Sequence, residues 1–402
     1  PIQRAAITLF ERLYEDTIAE AQIALEMMGE EAEALRRALS QRLIGRACIG
    51  LGHFAEGIVQ LQEALALSRQ SGSPYDVVNL LQDLTLAFTT QGQLNNAAAC
   101  LSEALAIAQR LGAPKLLAGV LNNLAWLHHT RGEYREALAL YEEALSAARG
   151  ADYSQWQAYT SAGMADLYRD MGAYERAAPL YEAGWQIAQE SEPGLAFYIL
   201  VAQADMHRWQ GDYPRALGLL AEARRLAEER GLEFERQGAL PVAEGIVLAE
   251  TGEAETGLRL LSEGTAFLEQ RQARRELARA RFLLARAHWI AGNRPQAIVE
   301  LRHALALAQE VGTWQFAAVE GQHVSDLLEF GIAGVSGCRD LIARIQQMRA
   351  FREEQEQAGE EVTQRAGGRL EIYALGEGRV VRDGRVVSPS EWQAAMDKEL
   401  LL

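Results

Sequence analysis

Three histidines recur at a nearly constant spacing, which is the pattern in this sequence closest to a metal site. His128, His207 and His288 each stand four residues before a glycine. At the same distance before other glycines stand Cys48, Phe88, Tyr168 and Leu248. Imidazoles on successive packed helices would lie about 10 Å apart, too far to share one ion. We therefore predict a packing column in the core and no metal site.

The three cysteines show neither redox nor ligand spacing. Cys48, Cys100 and Cys338 are far apart in sequence, which favours a reducing compartment. Cys100 falls on the apolar side of a predicted helix, a position typical of an inert thiol. The sequence contains no GxSxG, HExxH or GxxxxGK[ST] motif. We predict no catalytic residues, no cofactor and no enzyme activity; an enzyme stays the third hypothesis.

Composition narrows the class of partner. The 402 residues are 49% hydrophobic, and 39 basic against 55 acidic residues give a net charge of −16. Such a charge repels phosphate backbones, so we expect no direct nucleic-acid binding by the main part of the chain. No segment approaches the roughly 18 apolar residues of a membrane span, and none resembles a signal peptide. We predict a cytoplasmic protein without membrane contact, and the start at Pro1 suggests a piece of a longer chain.

A period of forty residues organises most of the chain. The glycines that carry it are Gly52, Gly92, Gly132, Gly172, Gly211, Gly252 and Gly292. A fixed period of this length is typical of a solenoid, which presents an extended binding surface. Apolar residues at helical spacing on both sides of each glycine predict a helical hairpin, helix A then helix B.

Small residues repeat in the same register. Seven residues before the glycines stand Gly45, Thr85, Ala125, Ala165, Ala204, Gly245 and Ala285. Five residues after them stand Gly57, Ala97, Ala137, Ala177, Ala216, Gly257 and Ala297. Twelve residues after them stand Ala64, Ala104, Ala144, Gly184, Ala223, Gly264 and Ala304. Three such columns predict close helix contacts within each hairpin.

These columns resemble the tetratricopeptide repeat family, with turns such as those at 132–134, 172–174 and 211–213. The usual period is 34, and the longer units resemble those of MalT-like regulators. The resemblance implies an all-α fold, a right-handed superhelix of seven clear hairpins and one degenerate hairpin, with a short C-terminal β segment.

The predicted boundaries follow from the period. Residues 1–356 form the solenoid, 357–368 a polar linker and 369–402 a separate segment. Residues 3–28 resemble a preceding helix B, and 313–356 form the degenerate pair. The seven predicted A/B pairs are 32–70, 75–111, 115–149, 153–190, 193–231, 234–271 and 273–311.

The C-terminal segment reads as strands near 369–375 and 379–387, followed by a helix from about Glu391. This order resembles the opening of the winged-helix domain in SARP-type bacterial activators. The matching positions are Leu370, Ile372, Leu375, Gly376, Val380, Asp383, Gly384, Arg385, Val387, Trp392, Leu400 and Leu401. The alternative is a small β-hairpin cap on the solenoid.

By resemblance to the tetratricopeptide fold, helix A faces the concave groove at the positions 13, 10, 6, 3 and 2 residues before the glycine. Those positions hold Arg42, Arg46, Asn79, Gln82, Asn122, Trp126, His129, Tyr159, Asp166, Arg169, Tyr198, Asp205, Arg208, Trp209, Arg279, Phe282, Arg286 and Trp289. Aromatic and arginine side chains dominate binding hot spots. Two alternatives stay open: that Trp126, Trp209 and Trp289 only fill space between A helices, and that Asp166/Arg169 and Asp205/Arg208 are ordinary helix-surface ion pairs.

The sequence therefore predicts a non-catalytic recognition module of a bacterial transcriptional regulator. Its concave groove would bind a protein, a peptide or a small inducer. Any DNA contact would come from a separate basic module, and a nucleotide-binding module is expected upstream. The alternative is a scaffold unrelated to transcription, with possible self-association through end helices such as 3–28.

Overall fold

The computed structural model describes residues 1–10, 13–28, 34–71, 73–366, 370–373, 379–382 and 385–387. The chain divides into two units, Pro1–Met348 and Arg349–Leu402. The first unit is helical and carries the repeats.

Seven antiparallel hairpins make up the regular part of the first unit, as the period predicts. Helix α18 then stands where an eighth helix A is expected. The bounds are α1 Ile2–Phe10, α2 Tyr14–Met28, α3 Ala34–Gly50, α4 Phe54–Ser71, α5 Pro74–Thr90, α6 Leu94–Leu111, α7 Pro114–Arg131, α8 Tyr134–Gly150, α9 Ser154–Asp170, α10 Tyr174–Ser191, α11 Pro193–Trp209, α12 Tyr213–Glu229, α13 Glu233–Gln237, α14 Ala239–Glu250, α15 Ala254–Gln270, α16 Arg274–Ile290, α17 Arg294–Val311, α18 Gln315–Gly321, α19 Ser325–Gly331 and α20 Cys338–Ala366.

The turn glycines end each helix A in a left-handed conformation. Gly132 has φ of 80°, and its N–H donates to the His129 carbonyl at 2.8 Å. The next N–H, of Glu133, donates to the His128 carbonyl at 2.9 Å. Only glycine adopts this φ without steric cost, and the two bonds satisfy carbonyls that the helix end leaves free. The forty-residue glycine period therefore marks where each helix A ends.

The small columns allow helices A and B to touch. A Cβ built on Gly257 would stand 2.5 Å from the Gly245 carbonyl oxygen, so neither position accepts a larger side chain. In other hairpins Ala97, Ala137 and Ala304 are completely buried. Inserting carbon atoms at such contacts typically costs about 1–3 kcal/mol.

The array winds far enough for its late repeats to contact its early ones. The rings of Phe54 and Phe234 meet edge to face at 5.8 Å between centroids. The Thr313 hydroxyl donates to the Thr130 carbonyl at 3.1 Å, a buried bond between residues 183 positions apart. These contacts join the sixth hairpin to the first and the residues after the seventh hairpin to the third.

Four boundary predictions need correction. Residues 3–28 form two helices, not one, and the helix A of the sixth hairpin is broken at Gly238 into α13 and α14. The region 313–356 holds α18, α19 and the start of α20, not a helix pair. The predicted linker 357–368 is helical as far as Ala366, because its Glu, Gln and Ala residues are good helix formers and it contains no proline.

The second unit contains the end of α20 and an antiparallel sheet in the order β1 Leu370–Tyr373, β2 Arg379–Arg382 and β3 Arg385–Val387. Ile372 pairs with Val380, and Arg382 pairs with Arg385. The helix predicted from about Glu391, with Trp392, Leu400 and Leu401, lies outside the described residues. Within the described residues, no helix combines the length and the apolar character of a membrane span.

Candidate functional site

A cavity of about 270 Å³ opens on the concave side of the first unit. Helices α7, α9, α11 and α16 provide most of its walls, and α18 closes it. The lining residues are Trp126, His129, Thr130, Asp166, Arg169, Asp170, Phe197, Tyr198, Val201, Ala202, Asp205, Trp209, Ala239, Arg275, Glu276, Arg279, Gln315, Phe316, Val319 and Glu320.

One wall is built by two carboxylates of α9, and we call it the Asp166 cluster: His129, Asp166, Arg169, Asp170 and Tyr198. Arg169 bridges the two acids, at 3.1 Å from Asp166 and 2.7 Å from Asp170. His129 Nε2 lies 2.9 Å from Asp170. The Tyr198 hydroxyl donates to Asp166. Side chains from three A helices are thereby fixed relative to one another.

The electrostatics of the Asp166 cluster keep Asp170 ionised. Burial raises the pKa of Asp170, but Arg169 and the His129 hydrogen bond outweigh it and leave that pKa below its usual range. Burial of its hydroxyl group and the neighbouring Asp166 carboxylate raise the pKa of Tyr198, although much of its ring is exposed, so the hydroxyl stays a donor. The cluster therefore presents fixed charges and donors.

The opposite wall is the Arg208 cluster: Asp205, Arg208, Glu250, Arg279, Arg286 and Glu320. Arg208 is 2% exposed and donates to Glu320 at 2.7 and 2.9 Å and to Glu250 at 2.9 Å. Arg279 bridges Asp205 at 2.6 Å and Glu320 at 3.0 Å. Three cations face three anions, drawn from α11, α14, α16 and α18.

The charges of the Arg208 cluster depend strongly on one another. Burial alone would raise the pKa of Glu320, but Arg208 and Arg279 hold it well below its usual range. Burial lowers the pKa of Arg286, one of whose buried terminal nitrogens has no hydrogen-bond partner in the described structure. Removing one charge would leave its partner buried and unpaired, which is costly.

Aromatic faces separate the two clusters. The guanidinium of Arg275 lies 4.8 Å from the centre of the Trp126 ring, and that of Arg169 lies 5.5 Å from Trp209. Tyr198 is 43% exposed although it lies in the concave wall. Such a combination of flat apolar surface and oriented charges is typical of a recognition site.

The structure brings many of the predicted groove residues together. Those that line the cavity are Trp126, His129, Asp166, Arg169, Tyr198, Asp205, Trp209 and Arg279. Arg208 and Arg286 lie behind this wall and bind Glu320 and Glu250. The others are absent from the cavity wall: Arg42, Arg46, Asn79, Gln82, Asn122, Tyr159, Phe282 and Trp289.

Residues outside the cavity have contacts of their own. Arg42 and Arg46 pair with Asp83, Gln82 accepts from Asn123, and Tyr159 donates to Glu192. Asn79 is half-buried, and Asn122 is buried with a side-chain oxygen that has no partner in the described structure. Trp289 lies against Phe330 of α19 and Arg294 of α17.

Two expectations about groove residues are wrong. Asp166/Arg169 and Asp205/Arg208 are not helix-surface ion pairs, because no side chain in them is more than 11% exposed. Phe282 is not an open groove position but fully buried, with its ring edge to face against Phe316 of α18. Helix α18 covers Phe282 through Phe316 and Arg208 through Glu320, whereas Asp166 is enclosed by the hydroxyls of Tyr181 and Tyr198.

The histidine column packs at the edge of the core. Cys48, Phe88 and Tyr168 are buried, whereas the side chain of His128 is 26% exposed and that of His207 is 16% exposed. His128 lies 2.6 Å from Glu133, an acid that follows the turn glycine. The prediction of a packing column holds, but these histidines are half-buried. No metal-ligating group of three or more residues occurs among the described residues.

The cysteines behave as packing residues. Burial raises the pKa of Cys48, Cys100 and Cys338 to about 11. A thiol with such a pKa carries almost no thiolate at neutral pH and is a weak nucleophile.

Sequence reasoning missed several residues of the site. Asp170 and Glu250 both stand two residues before a turn glycine, at a position already assigned to the groove, so the register could have found them. Gln315, Phe316 and Glu320 belong to the degenerate eighth repeat, where the register fails. For those three no periodic signal exists.

Comparison with known proteins supports the repeat architecture. The family described as "MalT-like TPR region" matches residues 78–249. A Rap protein complexed with Competence and Sporulation Factor superposes with a TM-score of 0.64 at 14% identity, covering 77% of this chain and 84% of that one. The chain folds as a tetratricopeptide repeat array.

Two further solved structures agree with this fold. NprR in complex with its cognate peptide NprX gives a TM-score of 0.54 at 19% identity, covering 67% of this chain and 75% of that one. The apo quorum sensor NprR from B. thuringiensis superposes with a TM-score of 0.52 at 16% identity, covering 76% of this chain and 86% of that one. No curated protein matches the chain. At these identities the likeness concerns the fold of the array.

Proposed function

We propose that the array is a non-catalytic recognition module that binds a short peptide on its concave side, in the cavity between the Asp166 and Arg208 clusters. The observation that carries the proposal is the convergence of side chains from four A helices, far apart in sequence, on this one cavity. Its aromatic walls offer contact area and its fixed charges offer orientation. Two of the structures named above, Rap with Competence and Sporulation Factor and NprR with NprX, are complexes with a signalling factor or peptide, which supports a peptide as the ligand class.

The size of the cavity favours side chains over a whole ligand. At about 270 Å³ it lies just below the range of roughly 300–1,000 Å³ that pockets for small molecules occupy. One or two side chains of a peptide fit such a space while the backbone runs along the groove. A small inducer is the other occupant that this volume admits.

The chemistry of the walls supports binding rather than catalysis. Arginine neighbours hold the pKa of Asp170 and of Glu320 below the usual range, so neither exchanges protons near neutral pH. A general acid or base works best with a pKa near the working pH.

The regulatory setting is a second part of the proposal. We infer that the array is the sensor of a bacterial transcriptional activator and that residues 369–402 begin its winged helix. The resemblance at Leu370, Ile372, Asp383 and Gly384 supports this, as does the antiparallel sheet of β1, β2 and β3. The gene sequence on either side is the test: a nucleotide-binding module before Pro1 and a recognition helix after Leu402 are expected, and their joint absence would refute the setting.

Peptide recognition is tested by selection from a random peptide library on the immobilised chain. We expect enrichment of a defined motif by the wild type, and its loss in the double variant Trp126→Ala/Trp209→Ala. Tyr75→Ala is the matched control, because Tyr75 is also a large aromatic residue, is 52% exposed and lies outside the cavity wall. Equal enrichment by the wild type and the double variant would place the binding elsewhere.

Self-association is the second candidate function, and the N-terminal end favours it. Ile7, Met27 and Leu35 are 56%, 73% and 44% exposed on the first three helices. Exposed apolar side chains of this kind can contribute to a contact with a second copy of the chain. Light scattering of the wild type and of Ile7→Glu/Met27→Glu decides this: a dimer that the variant loses would support association, and a monomeric wild type would exclude it.

A further inference from the structure

Helix α18 occupies the place of a helix A but does not behave as one. The regular A helices α5, α7 and α16 have 17 or 18 residues, whereas α18 has seven and ends at Gly321. Gly321 packs closely against α20, since a Cβ there would stand 2.9 Å from the terminal methyl group of Ile345. The shortened helix fills the concave side without continuing the stack of hairpins.

Four side chains of α18 reach the cavity, those of Gln315, Phe316, Val319 and Glu320. Phe316 and Val319 add apolar surface, and the Glu320 carboxylate ends the segment. This carboxylate receives hydrogen bonds from Arg208, from Arg279 and, at 3.3 Å, from the indole N–H of Trp209. Helix α18 thus fills the cavity as a bound peptide would, with one acidic side chain hydrogen-bonded to arginines.

Without Glu320 the charges of the Arg208 cluster do not balance. Arg208, Arg279 and Arg286 would face only Asp205 and Glu250, which leaves one buried positive charge uncompensated. Any group that replaces Glu320 must therefore bring a negative charge with it. A carboxylate suits this site best, because each of its two oxygens can accept a hydrogen bond from a different guanidinium nitrogen, on one arginine or on two adjacent ones.

We propose that the Arg208 cluster is the carboxylate subsite of the groove and that Glu320 of α18 occupies it as a built-in competitor. The ligand is then a peptide that carries a carboxylate next to an apolar residue, as Phe316, Val319 and Glu320 do. The carboxylate comes from an acidic side chain or from the peptide's C-terminus. This inference rests on the peptide recognition proposed above and adds the ligand class and the competition with α18.

The experiment uses the chain's own segment as a probe. A synthetic peptide of residues 313–322, acetylated and amidated, carries the Glu320 carboxylate as its one negative charge. Its binding to the full chain with Glu320→Gln is measured by fluorescence anisotropy. We expect binding to this variant about tenfold tighter than to the wild type, because the competing carboxylate is gone. Glu329→Gln, an exposed change on α19, is the control and should bind as the wild type does.

Two peptide variants identify the source of the charge. With glutamine at the Glu320 position, the amidated peptide should bind about tenfold more weakly, since a charged hydrogen bond to arginine is lost. The same glutamine peptide with a free C-terminus tests a terminal carboxylate, and recovered affinity would assign the subsite to it. Equal binding of the acidic and the neutral peptide would overturn the proposal.

A second measurement covers the case in which Glu320→Gln does not fold. In the wild type, saturating acidic peptide should speed amide hydrogen exchange within α18 by about tenfold, because the helix is displaced. Exchange in α18 that stays unchanged under saturation would overturn the competition. If the library motif depends on Trp126 and Trp209 but neither measurement responds to the Glu320 carboxylate, peptide recognition stands and the carboxylate subsite falls.

Discussion

The two ends of the concave side use the same kind of ion pair in opposite surroundings. Near the first hairpins Arg42 pairs with Asp83 at 2.6 Å, with 21% and 18% of the side chains exposed. In the Arg208 cluster, Arg208 pairs with Glu320 at 2.7 Å, with 0% and 1% exposed. The sequence pattern treats both arginines as groove residues, but α18 covers only the second. The short helix α18 supplies Glu320 to the arginines of the Arg208 cluster, and the charges of that buried network must balance.

The largest expected effect is the loss of a buried arginine. Arg208→Ala should lower the free energy of unfolding by about 3–5 kcal/mol, because Glu320 and Glu250 stay buried without their main partner. Arg42→Ala should cost about 1 kcal/mol or less, since water solvates Asp83. Urea unfolding followed by circular dichroism measures both, and similar losses would contradict the difference in burial.

The next effect tests the apolar contact that holds α18. Phe316 is 7% exposed and packs on Phe282, so Phe316→Ala should cost about 3 kcal/mol. Phe330→Ala is the control, since Phe330 is 54% exposed and should change stability by only about 0.5 kcal/mol. If the two variants unfolded alike in urea, α18 would not be docked as described.

A pH series separates the charge of Glu320 from its shape. Its pKa is lowered on folding from the ordinary value of 4.5, so its ionised form stabilises the fold above that pH. The excess stability of the wild type over Glu320→Gln should be constant from pH 7 to about 5 and shrink as the pH falls below 4.5. A difference that did not change with pH would mean that packing, not charge, holds Glu320.

The smallest effect concerns salt. A double-mutant cycle on Arg42 and Asp83 should give a coupling of about 0.5 kcal/mol at low salt that falls toward zero at about 1 M. The same cycle on Arg208 and Glu320 should keep its coupling, because counterions do not reach a buried pair. Equal salt sensitivity would mean that solvent reaches both ends of the groove.

The regular part of this structure was accessible from sequence because local rules determine it. A left-handed glycine ends each helix A, and small residues such as Gly245 and Gly257 mark the contact between helices A and B. The resemblance to the tetratricopeptide fold then assigns Trp126, Asp166 and Asp205 to the concave side. All three line the cavity.

The rest of the site depends on contacts between distant parts of the chain. Arg208 and Glu320 are 112 residues apart, and no periodic signal relates them. Where the eighth repeat departs from the pattern, the register predicts a weak hairpin and says nothing about a helix that folds into the groove. The buried states of Phe282 and Arg208 follow from that helix, which is why both were misjudged as open positions.

The most direct test of peptide recognition on the covered half of the groove is a comparison of dissociation constants for one library-selected peptide. Trp126→Ala/Trp209→Ala changes the cavity, and Arg42→Ala/Arg46→Ala changes the uncovered end of the groove. The account predicts that the tryptophan variant loses affinity by about a hundredfold and that the arginine variant binds like the wild type. Loss in the arginine variant with unchanged binding in the tryptophan variant would contradict it.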